Sequence, residues 1–390
     1  MLSYLTMSSS LSFLPSSISS FSIGLLGSGQ LGQMMAMAAK KMGHRVIVYD
    51  VLPGGPAASV ADEMIVASFE DQDALKRFAS KVDLITLEFE NIPIATLEFL
   101  ASLKPLYPTP RVVQICQDRI LEKEFLKACG IPVAPFCIVT SVEELFSALE
   151  ILKGETILKT ATLGYDGKGQ IAIKMGARFE EVQQAWTSLK TQRAVLEKKV
   201  NFQAEGSIIV ARSASGEISV FPSQENVHVH GILHLSCIPT QFSKKVLDQA
   251  TFLGQKIAEA LDVIGLIAVE FFVLPNDEII VNELAPRPHN SGHHTIESSK
   301  TSQFEQAIRA VVGAPLGSTA LVQPAIMLNL LGDLWQSEQP DWKKMLGNSK
   351  NSFLHLYGKK EAKPGRKMGH VTFVGEEREK LLRQVKKYLF

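Results

Sequence analysis

Two adjoining apolar segments, each with a glutamate, constrain this chain more than any other feature of its sequence. Residues 267–273 contain Glu270, and residues 278–283 end at Glu283. The four residues between them, 274–277, have the sequence LPND, which is typical of a hairpin connection. We therefore predict two adjacent antiparallel strands that place both carboxylates side by side.

Two carboxylates held together in an apolar sheet repel each other, and a divalent cation removes that repulsion. Oxygen ligands favour Mg²⁺, with Mn²⁺ as an alternative, and Asn282 adds an amide oxygen beside Glu283. Mg²⁺ held in this way commonly shares its remaining positions with nucleotide phosphates and water. The pattern predicts a metal site at Glu270 and Glu283 next to a nucleoside triphosphate. The structural alternative is that each glutamate only ends an edge strand.

A glycine-rich segment upstream is suited to cover such phosphates. Residues 164–170, GYDGKGQ, place three glycines between the apolar segments 156–159 and 171–174. Glycine allows positive φ and a close approach of backbone N–H groups to an anion, so the loop can close over polyphosphate. Lys159 would add a positive charge at the phosphates. The alternative is a plain turn without a ligand.

The segment 194–200 has the pattern of an apolar strand that ends in polar residues. Such a strand end can bind an adenine edge through its backbone, with Glu197 or Glu205 at the ribose hydroxyls. An exposed strand end with charged residues also needs no ligand at all.

The N-terminal part carries a different nucleotide pattern. A strand that begins at Ser22 leads into Gly27-x-Gly29-x-x-Gly32, and a second strand ends at Asp50. On its own this pattern predicts a dinucleotide-binding domain and a nicotinamide dehydrogenase. The structural alternative is that the glycines let a helix pack closely on a strand and leave an anion site at its N-terminus.

Taken together and in this order, these segments resemble the ATP-grasp superfamily and, within it, the N5-carboxyaminoimidazole ribonucleotide synthetases. The resemblance covers nearly all of residues 22–375, and its most specific segments are NELAPRPHNSGH from Asn282 and PGRKMGH from Pro364. It implies ATP- and bicarbonate-dependent carboxylation of 5-aminoimidazole ribonucleotide in de novo purine synthesis, through carboxyphosphate, with ADP and phosphate released. The N-terminal domain of such enzymes binds substrate instead of a dinucleotide.

The resemblance also implies a role for individual residues. ATP contacts are implied for Arg119, Lys159, Gly164, Tyr165, Asp166, Gly167, Lys168, Gly169, Gln170, Glu197, Lys198, Lys199, Val200, Glu205, His228, Asn282 and Glu283. Substrate contacts are implied for Gly29, Gln30, Leu31, Tyr165, Lys168, Arg287, His289, Lys359, Arg366 and Lys367. Arg287 is expected to hold the reacting carboxylate or phosphate, and Asp166 or His289 to take the proton of the amine. The chain departs from the family at Lys168, where arginine is common, so a bidentate contact from this position is not expected.

Other functions agree with parts of the sequence. Another ATP-grasp ligase, such as a formate-dependent purine transformylase, would share the nucleotide site, whereas a nicotinamide oxidoreductase would share only the first domain. A catalytically inactive relative is disfavoured by the retained Glu270, Asn282, Glu283 and Arg287. A zinc site at His289, His293 and His294 is disfavoured because this Pro- and Gly-interrupted loop suits an anionic substrate better. We expect no flavin, NAD or zinc.

Composition sets limits on the partners of the chain. At 390 residues, with 46% hydrophobic residues, the chain is long enough for two or three domains. Its 40 basic and 40 acidic residues balance, so no net charge attracts nucleic acid or an anionic membrane. The four cysteines lack metal-ligand spacing, which predicts free thiols in a reducing compartment. Expected partners are the small-molecule substrates, a second copy of the chain in a homodimer, and a mutase that takes the carbamate product.

Residues 1–21 are predicted to be a disordered, artefactual or targeting extension. The first 39 residues contain no charged side chain, whereas secretory and mitochondrial signals need positive charge. A Ser-rich, acid-poor segment also fits a plastid-type peptide, so we expect a cytoplasmic protein, with the plastid as the alternative. No apolar run reaches the ~18 residues that span a bilayer.

The predicted fold class is α/β and α+β. A Rossmann-like domain (22–110) precedes an ATP-grasp domain (111–318) with a mobile subdomain at about 157–210, and a small C-terminal domain (319–390) follows. In the first domain, strands are predicted at 22–27, 45–49, 63–66 and 83–87, and a helix at about 30–42. Glu88 and Glu90 come directly after the last of these strands, where ligands of open α/β sheets bind. A single helix of 111–129 should carry Arg119.

Overall fold

The computed structural model describes residues 20–164, 167–336, 340–346 and 350–386. The predictions for Tyr165 and Asp166, and nearly all of those for residues 1–21, lie outside these ranges. Within them the strands form three sheets, of four, four and nine strands. The predicted α/β and α+β fold class is confirmed.

The first sheet is parallel, with strand order β3-β2-β1-β4. Its elements are β1 (Ser22–Leu26), α1 (Gln30–Lys41), β2 (Arg45–Asp50), β3 (Glu63–Val66), α2 (Gln72–Ser80), β4 (Leu84–Leu87) and α3 (Ile94–Leu103). The strands begin and end within about one residue of the predicted positions. They consist of near-continuous apolar residues because helices cover both faces of a parallel sheet.

The predicted single helix of 111–129 is wrong. Two helices occupy this segment, α4 (Pro110–Gln117) and α5 (Arg119–Ala128). Asp118 has an extended backbone, and its carboxylate accepts hydrogen bonds from the N–H groups of Ile120 and Leu121 at 2.9 and 3.3 Å. An aspartate that caps a helix N-terminus in this way starts a new helix. Arg119 therefore lies in the first turn of α5, and its N–H donates to the carbonyl of Ala161.

The second sheet is antiparallel, with strand order β5-β8-β6-β7. Its elements are β5 (Phe136–Val139), α6 (Val142–Leu152), β6 (Thr156–Thr160), β7 (Gln170–Ile173), α7 (Phe179–Leu189) and β8 (Ala194–Lys198). This unit differs from the predicted subdomain of about 157–210 at both ends. Phe136–Val139 pairs with β8 inside the sheet, whereas the strand after residue 203 pairs with the large sheet.

The third sheet is the largest, with order β14-β13-β9-β11-β12-β15-β17-β16 and β10 paired with β9. Its strands are β9 (Ala204–Arg212), β10 (Ile218–Val220), β11 (Gln224–Val229), β12 (Ile232–Ile238), β13 (Gly265–Val273), β14 (Ile279–Ala285), β15 (Ala325–Leu331), β16 (Ser352–Leu356) and β17 (Lys367–Val374). The helices around it are α8 (Lys244–Leu261), α9 (Thr295–Ser298), α10 (Gln303–Val312), α11 (Trp342–Leu346) and α12 (Arg378–Lys386). Because β12 pairs with β15, the strands of the predicted C-terminal domain (319–390) extend this same sheet.

Helices α1 and α10 join the first domain to the large sheet. Met34 and Met35 of α1 share one buried core with Phe304 and Ile308 of α10 and with Ile209 of β9. The glycine-rich turn before α1 is thereby held beside the strands that carry Glu270 and Glu283. All four cysteines are unpaired. Among the described helices, none is both long enough and apolar enough to cross a bilayer.

Candidate active site

One cavity of about 1010 Å³ is bordered by all three sheets. Its wall includes most of the residues that the sequence assigns to ligands, namely Gln30, Leu31, Arg119, Lys159, Gly164, Gly167, Lys168, Gln170, Glu205, His228, Glu270, Asn282, Glu283, Arg287, His289, Lys359, Arg366 and Lys367. Among the predicted residues that the structure describes, those that do not line it are Gly29, Gly169, Glu197, Lys198, Lys199 and Val200.

The two predicted carboxylates lie on neighbouring strands. Glu270 of β13 pairs directly with Glu283 of β14, and the register shifts immediately afterwards, so that Phe271 faces Val281. Asn282 is the extra residue of this bulge. Because a bulge redirects a side chain, Asn282 and Glu283 both reach the cavity although they are consecutive in a strand.

This carboxylate–amide set fits an oxygen-ligated divalent cation. The Oδ1 atom of Asn282 is buried and accepts no hydrogen bond from the described residues. Glu283 lies 3.0 Å from Arg119, and Glu270 lies 3.0 Å from Nε2 of His289. Burial opposes ionisation of Glu270, but the hydrogen bond and charge of His289 outweigh it and hold the pKa of Glu270 well below its usual range. The three residues therefore supply hard oxygen atoms, and Glu270 is held in its charged form.

A buried ion cluster stands beside this set. Lys159 lies 3.0 Å from Glu197, and Lys123 of α5 lies 3.6 Å from the same carboxylate. Burial lowers the pKa of Lys159, while the two lysines outweigh the effect of burial on Glu197 and hold its pKa below the usual value. Glu197 is thus enclosed by lysines. Of the two acids proposed for the ribose, Glu205 is the one on the cavity wall.

The glycine-rich loop lies next to the β11–β12 hairpin. Gly167 and Gly169 have φ values of 75° and 71°, a region in which other residues are strained. A Cβ atom at Gly167 would lie 3.0 Å from the carbonyl oxygen of His230. Glycine at this position therefore allows both the turn and the close approach of the loop to the hairpin.

The opposite wall carries an aromatic pair and a histidine–glutamate pair. The rings of Phe202 and Phe272 stack with centroids 4.6 Å apart, and both line the cavity. Nδ1 of His228 lies 2.9 Å from Glu205. Burial alone would lower the pKa of His228, but its hydrogen bond to the carboxylate of Glu205 and the charge of Glu270 raise it. This wall offers an apolar surface for a planar ring with a carboxylate beside it.

The N-terminal glycine turn is already filled by the protein. The carboxylate of Glu88 accepts hydrogen bonds from the N–H groups of Gly29 and Gly32, the latter at 2.7 Å. Asp50, the predicted ribose acid, accepts from the N–H of Ser28 at 2.7 Å. Gly29 is predicted to contact substrate, and its N–H already donates to Glu88. Gln30 and Leu31 remain on the cavity wall.

Arg287 is also paired within the chain. Its guanidinium forms a bidentate ion pair with Glu90, through Nε and through Nη2 at 3.0 Å. From the sequence, Arg287 is predicted to bind a reacting anion. In the structure its guanidinium already binds the carboxylate of Glu90. Glu90 is thus a site residue whose position after β4 indicated a ligand contact, although its arginine partner lies 197 residues away.

The basic segment 359–367 closes one end of the cavity. Lys359 donates to the carbonyl of Lys367 at 2.7 Å, and Arg366 donates to the carbonyl of Glu361 at 2.9 Å. Asp333 accepts from the N–H of Gly365 at 2.7 Å. These bonds hold the turn with its cations at the wall.

Lys123 and Glu122 support the site from α5, and neither is predicted from the sequence. Lys123 donates to the carbonyl of Asn282 at 2.9 Å, and Glu122 accepts from the N–H of Leu284 at 2.7 Å. Both are on α5, one turn after Arg119, and residues three and four apart on a helix share a face. That spacing is the sequence signal that identifies them.

Fold and cavity together define the class: the chain is an ATP-grasp enzyme, with a small antiparallel sheet and a larger sheet bordering one nucleotide-sized cavity. The ATP-grasp domain family matches residues 124–304, the ribonucleotide synthetase preATP-grasp domain family residues 21–117, and the phosphoribosylaminoimidazole carboxylase C-terminal domain family residues 325–384. The chain is 43% identical to the N5-carboxyaminoimidazole ribonucleotide synthase of Bacillus subtilis over 363 residues, which cover 93% of this chain and 94% of that one. It belongs to the N5-carboxyaminoimidazole ribonucleotide synthase family.

Solved structures of this family are also similar to the chain. An ADP complex of N5-carboxyaminoimidazole ribonucleotide synthetase superposes with a TM-score of 0.89 at 41% identity, covering 94% of this chain and 96% of that chain. The enzyme of Aspergillus clavatus, in complex with ADP and 5-aminoimidazole ribonucleotide, superposes with a TM-score of 0.87 at 30% identity, covering 94% and 97%. The likeness therefore extends over all three sheets.

Proposed function

We propose that the chain carboxylates 5-aminoimidazole ribonucleotide to N5-carboxyaminoimidazole ribonucleotide in de novo purine synthesis, with ATP and bicarbonate consumed and ADP and phosphate released. Family membership supports this reaction. The observation that carries it is the shared cavity: the Glu270–Asn282–Glu283 set, the described part of the 164–170 loop and the basic segment 359–367 line the same space. A nucleotide and an anionic ribonucleotide can therefore meet there.

Glu270, Glu283 and Asn282 would hold Mg²⁺, with Mn²⁺ as an alternative. When bound, the cation offsets charge on the β- and γ-phosphates. Lys159 neutralises the α/β side, and the glycine-rich loop excludes water from the phosphates. Bicarbonate then attacks the γ-phosphate to give carboxyphosphate, and the protein contributes mainly position and charge.

Arg287 and His289 lie on the loop after β14 and line the same cavity. Arg287, held by Glu90, would position the carboxylate or phosphate of carboxyphosphate. Carboxyphosphate releases CO₂ beside the exocyclic amine, and Asp166 or His289 takes the amine proton as the N–C bond forms. Lys359, Arg366 and Lys367 would bind the 5′-phosphate of the ribonucleotide.

We also propose that the chain works as a cytoplasmic homodimer and passes its carbamate to a mutase. These proposals rest on the family resemblance and, for the location, on cysteines that have neither disulfide-scaffold density nor metal-ligand spacing. The test of the homodimer is light scattering, which should give twice the 42.8 kDa chain mass. The plastid alternative predicts that residues 1–21 carry a fused reporter into plastids.

The reaction is tested by omitting each substrate in turn. ADP formation should require bicarbonate and 5-aminoimidazole ribonucleotide together, and label from ¹³C-bicarbonate should appear in an acid-labile carbamate. Turnover with formate in place of bicarbonate would instead identify a purine transformylase. An ATP-independent change in NAD(P)H absorbance would reject an ATP-grasp reaction altogether.

A further inference from the structure

The loop that carries Arg287 and His289 is held by a buried amide from another element. Gln303, the first residue of α10, accepts a hydrogen bond from the N–H of His289 at 2.9 Å. Its Nε2 donates to the carbonyl of His289 at 2.7 Å. The two bonds form a closed pair between one side-chain amide and one residue's backbone, and Gln303 is fully buried.

The orientation of this amide is fixed by its surroundings. An N–H group faces Oε1 and a carbonyl faces Nε2, so exchanging the two atoms would break both bonds. Nε2 also lies 3.4 Å from Nδ1 of His293, a buried histidine. Burial and neighbouring positive charge hold the pKa of His293 well below its usual value, which keeps the ring neutral and able to accept. Gln303 thus uses both of its amide groups.

The loop itself has few backbone donors. Pro286 and Pro288 lack an N–H, so His289 is the first residue after Arg287 that can be tied through its backbone N–H. Gly292 packs against Gln303 on the other side: a Cβ atom there would lie 2.8 Å from the amide carbon. The N–H of Gln303 donates to Thr295, whose hydroxyl donates to the carbonyl of Gly292. The amide is therefore clamped in the turn that it supports.

The backbone of His289 sets where its ring lies. Nδ1 of that ring lies 2.8 Å from Oγ of Ser291, and Nε2 lies 3.0 Å from Glu270. A displaced backbone at residue 289 would move the ring away from Glu270 and shift the guanidinium two residues earlier. We infer that Gln303 is a positioning residue for catalysis, one that holds His289 and Arg287 at the reacting groups. This inference rests on the proposed function.

The same helix supplies a matched control. Gln306, three residues later and also fully buried, makes the same two-bond pair with a different loop. Its Nε2 donates to the carbonyl of Gly317, and its Oε1 accepts from the N–H of Gly317, both at 2.8 Å. Gly317 does not line the cavity. A substitution at either glutamine removes an equivalent pair from α10, but only one of the pairs supports the site loop.

The experiment compares Gln303→Met with Gln306→Met in the full chain. Methionine has nearly the volume of glutamine and keeps neither bond, so both variants should lose similar stability, measured as Tm. Gln303→Met should lower kcat for ADP formation by about 10- to 100-fold, the range for residues that orient catalytic groups. Its Kd for ADP, from calorimetry, should stay within about 3-fold of wild type, because Gln303 does not line the cavity. Gln306→Met should keep kcat within about 2-fold.

A second pair covers the case in which Gln303→Met does not fold. Gln303→Asn keeps an uncharged amide and adds no volume but is one methylene too short for the two bonds to His289, and Gln306→Asn makes the same change at Gly317. The first should lose more kcat than the second at equal Tm. Equal kcat in the matched variants, or a loss of kcat that only tracks Tm, would overturn the inference. Wild-type protein without bicarbonate-dependent ADP release would instead reject the proposed function.

Discussion

The two glycine-rich turns of this molecule have similar sequences but different neighbours. A side chain of the protein fills one of them, and the other borders the cavity. The turn at 27–32 directs its backbone N–H groups at the carboxylate of Glu88, whereas the loop at 164–170 borders the cavity. Both have the spacing that predicts an anion site. The difference shows that glycine spacing predicts where N–H groups converge, and that only the three-dimensional neighbours decide whether a ligand or a side chain meets them.

The largest expected effect on activity concerns the cavity that the 164–170 loop borders. Glu283→Gln keeps the side-chain shape and removes one charge from the proposed cation site beside the 164–170 loop. It should lower kcat by on the order of 10²–10⁴ with little change in folding. Steady-state ADP release at saturating substrates measures it. Glu278→Gln, an exposed change just before the same strand, is the control. Near-wild-type turnover in Glu283→Gln would make this carboxylate structural.

A second prediction asks which segment receives the ribonucleotide phosphate, since Glu88 fills the turn at 27–32. Arg366→Ala should raise the KM for the ribonucleotide by about 10- to 150-fold. This corresponds to about 1.5–3 kcal/mol, the range for a charged hydrogen bond. The KM for ATP should change far less, because the phosphate is remote from the nucleotide. Arg366→Lys should recover part of the loss. Arg383→Ala, an exposed arginine on α12, should change neither constant. An unchanged ribonucleotide KM in Arg366→Ala would indicate that the turn at 27–32 binds the phosphate instead.

A matched pair of glycine substitutions compares the turns directly. A Cβ atom at Gly29 would lie 2.5 Å from Oε1 of Glu88, whereas at Gly164 the nearest contact would be 3.3 Å from the carbonyl of Lys168. Gly29→Ala should therefore lower the free energy of unfolding by about 1–3 kcal/mol through overpacking, and Gly164→Ala by less. Chemical denaturation measures both. Equal losses would show that Glu88 moves aside at little cost.

The smallest effect concerns a second buried acid. Glu122 has only the N–H of Leu284 as a hydrogen-bond donor to one oxygen, and its other oxygen has no partner among the described residues. Burial raises the pKa of Glu122 to about 8. A folded protein with a raised carboxyl pKa holds a proton that the unfolded chain has released, so this residue lowers stability as pH rises from the ordinary carboxyl pKa to about 8.

Glu122→Gln should remove that pH dependence. The free energy of unfolding of the variant should gain up to about 1.4 kcal/mol per pH unit over wild type across that range and little below it. Denaturant titrations at several pH values measure it. Glu124→Gln, exposed on the same helix, should leave the wild-type dependence unchanged. A constant difference between Glu122→Gln and wild type would place an ionised carboxylate in the core.

The parts predicted from sequence are those fixed by neighbouring residues. The hairpin of Glu270 and Glu283 follows from two apolar runs and a four-residue connection, and the first-domain strands from their own composition. The break at Asp118 follows from a local hydrogen bond too, but it interrupts an apolar period that continues through it. The helical periodicity alone therefore predicts one helix, whereas the capping aspartate divides the segment into two.

The remaining contacts depend on residues far apart in the chain. Glu88 meets Gly29 after 59 residues, and Glu90 meets Arg287 after 197. Local pattern predicts that each residue lies near a ligand site, yet it does not specify whether the partner is a ligand or another side chain. Gln303 shows the same limit, because a buried amide at a helix start has no distinguishing local signal.

The filled turn has a consequence for protein engineering. The first domain already contains the strand, the three glycines, the helix and the acid at the end of the second strand that a cofactor such as NAD would require. What it lacks is space, since Glu88 holds the N–H groups of Gly29 and Gly32 that a pyrophosphate would use. Redesign toward a redox cofactor would therefore start by removing an acid rather than by adding a motif. Conversely, one glutamate placed after the fourth strand of a redox domain would block cofactor binding, although all of its glycines remain.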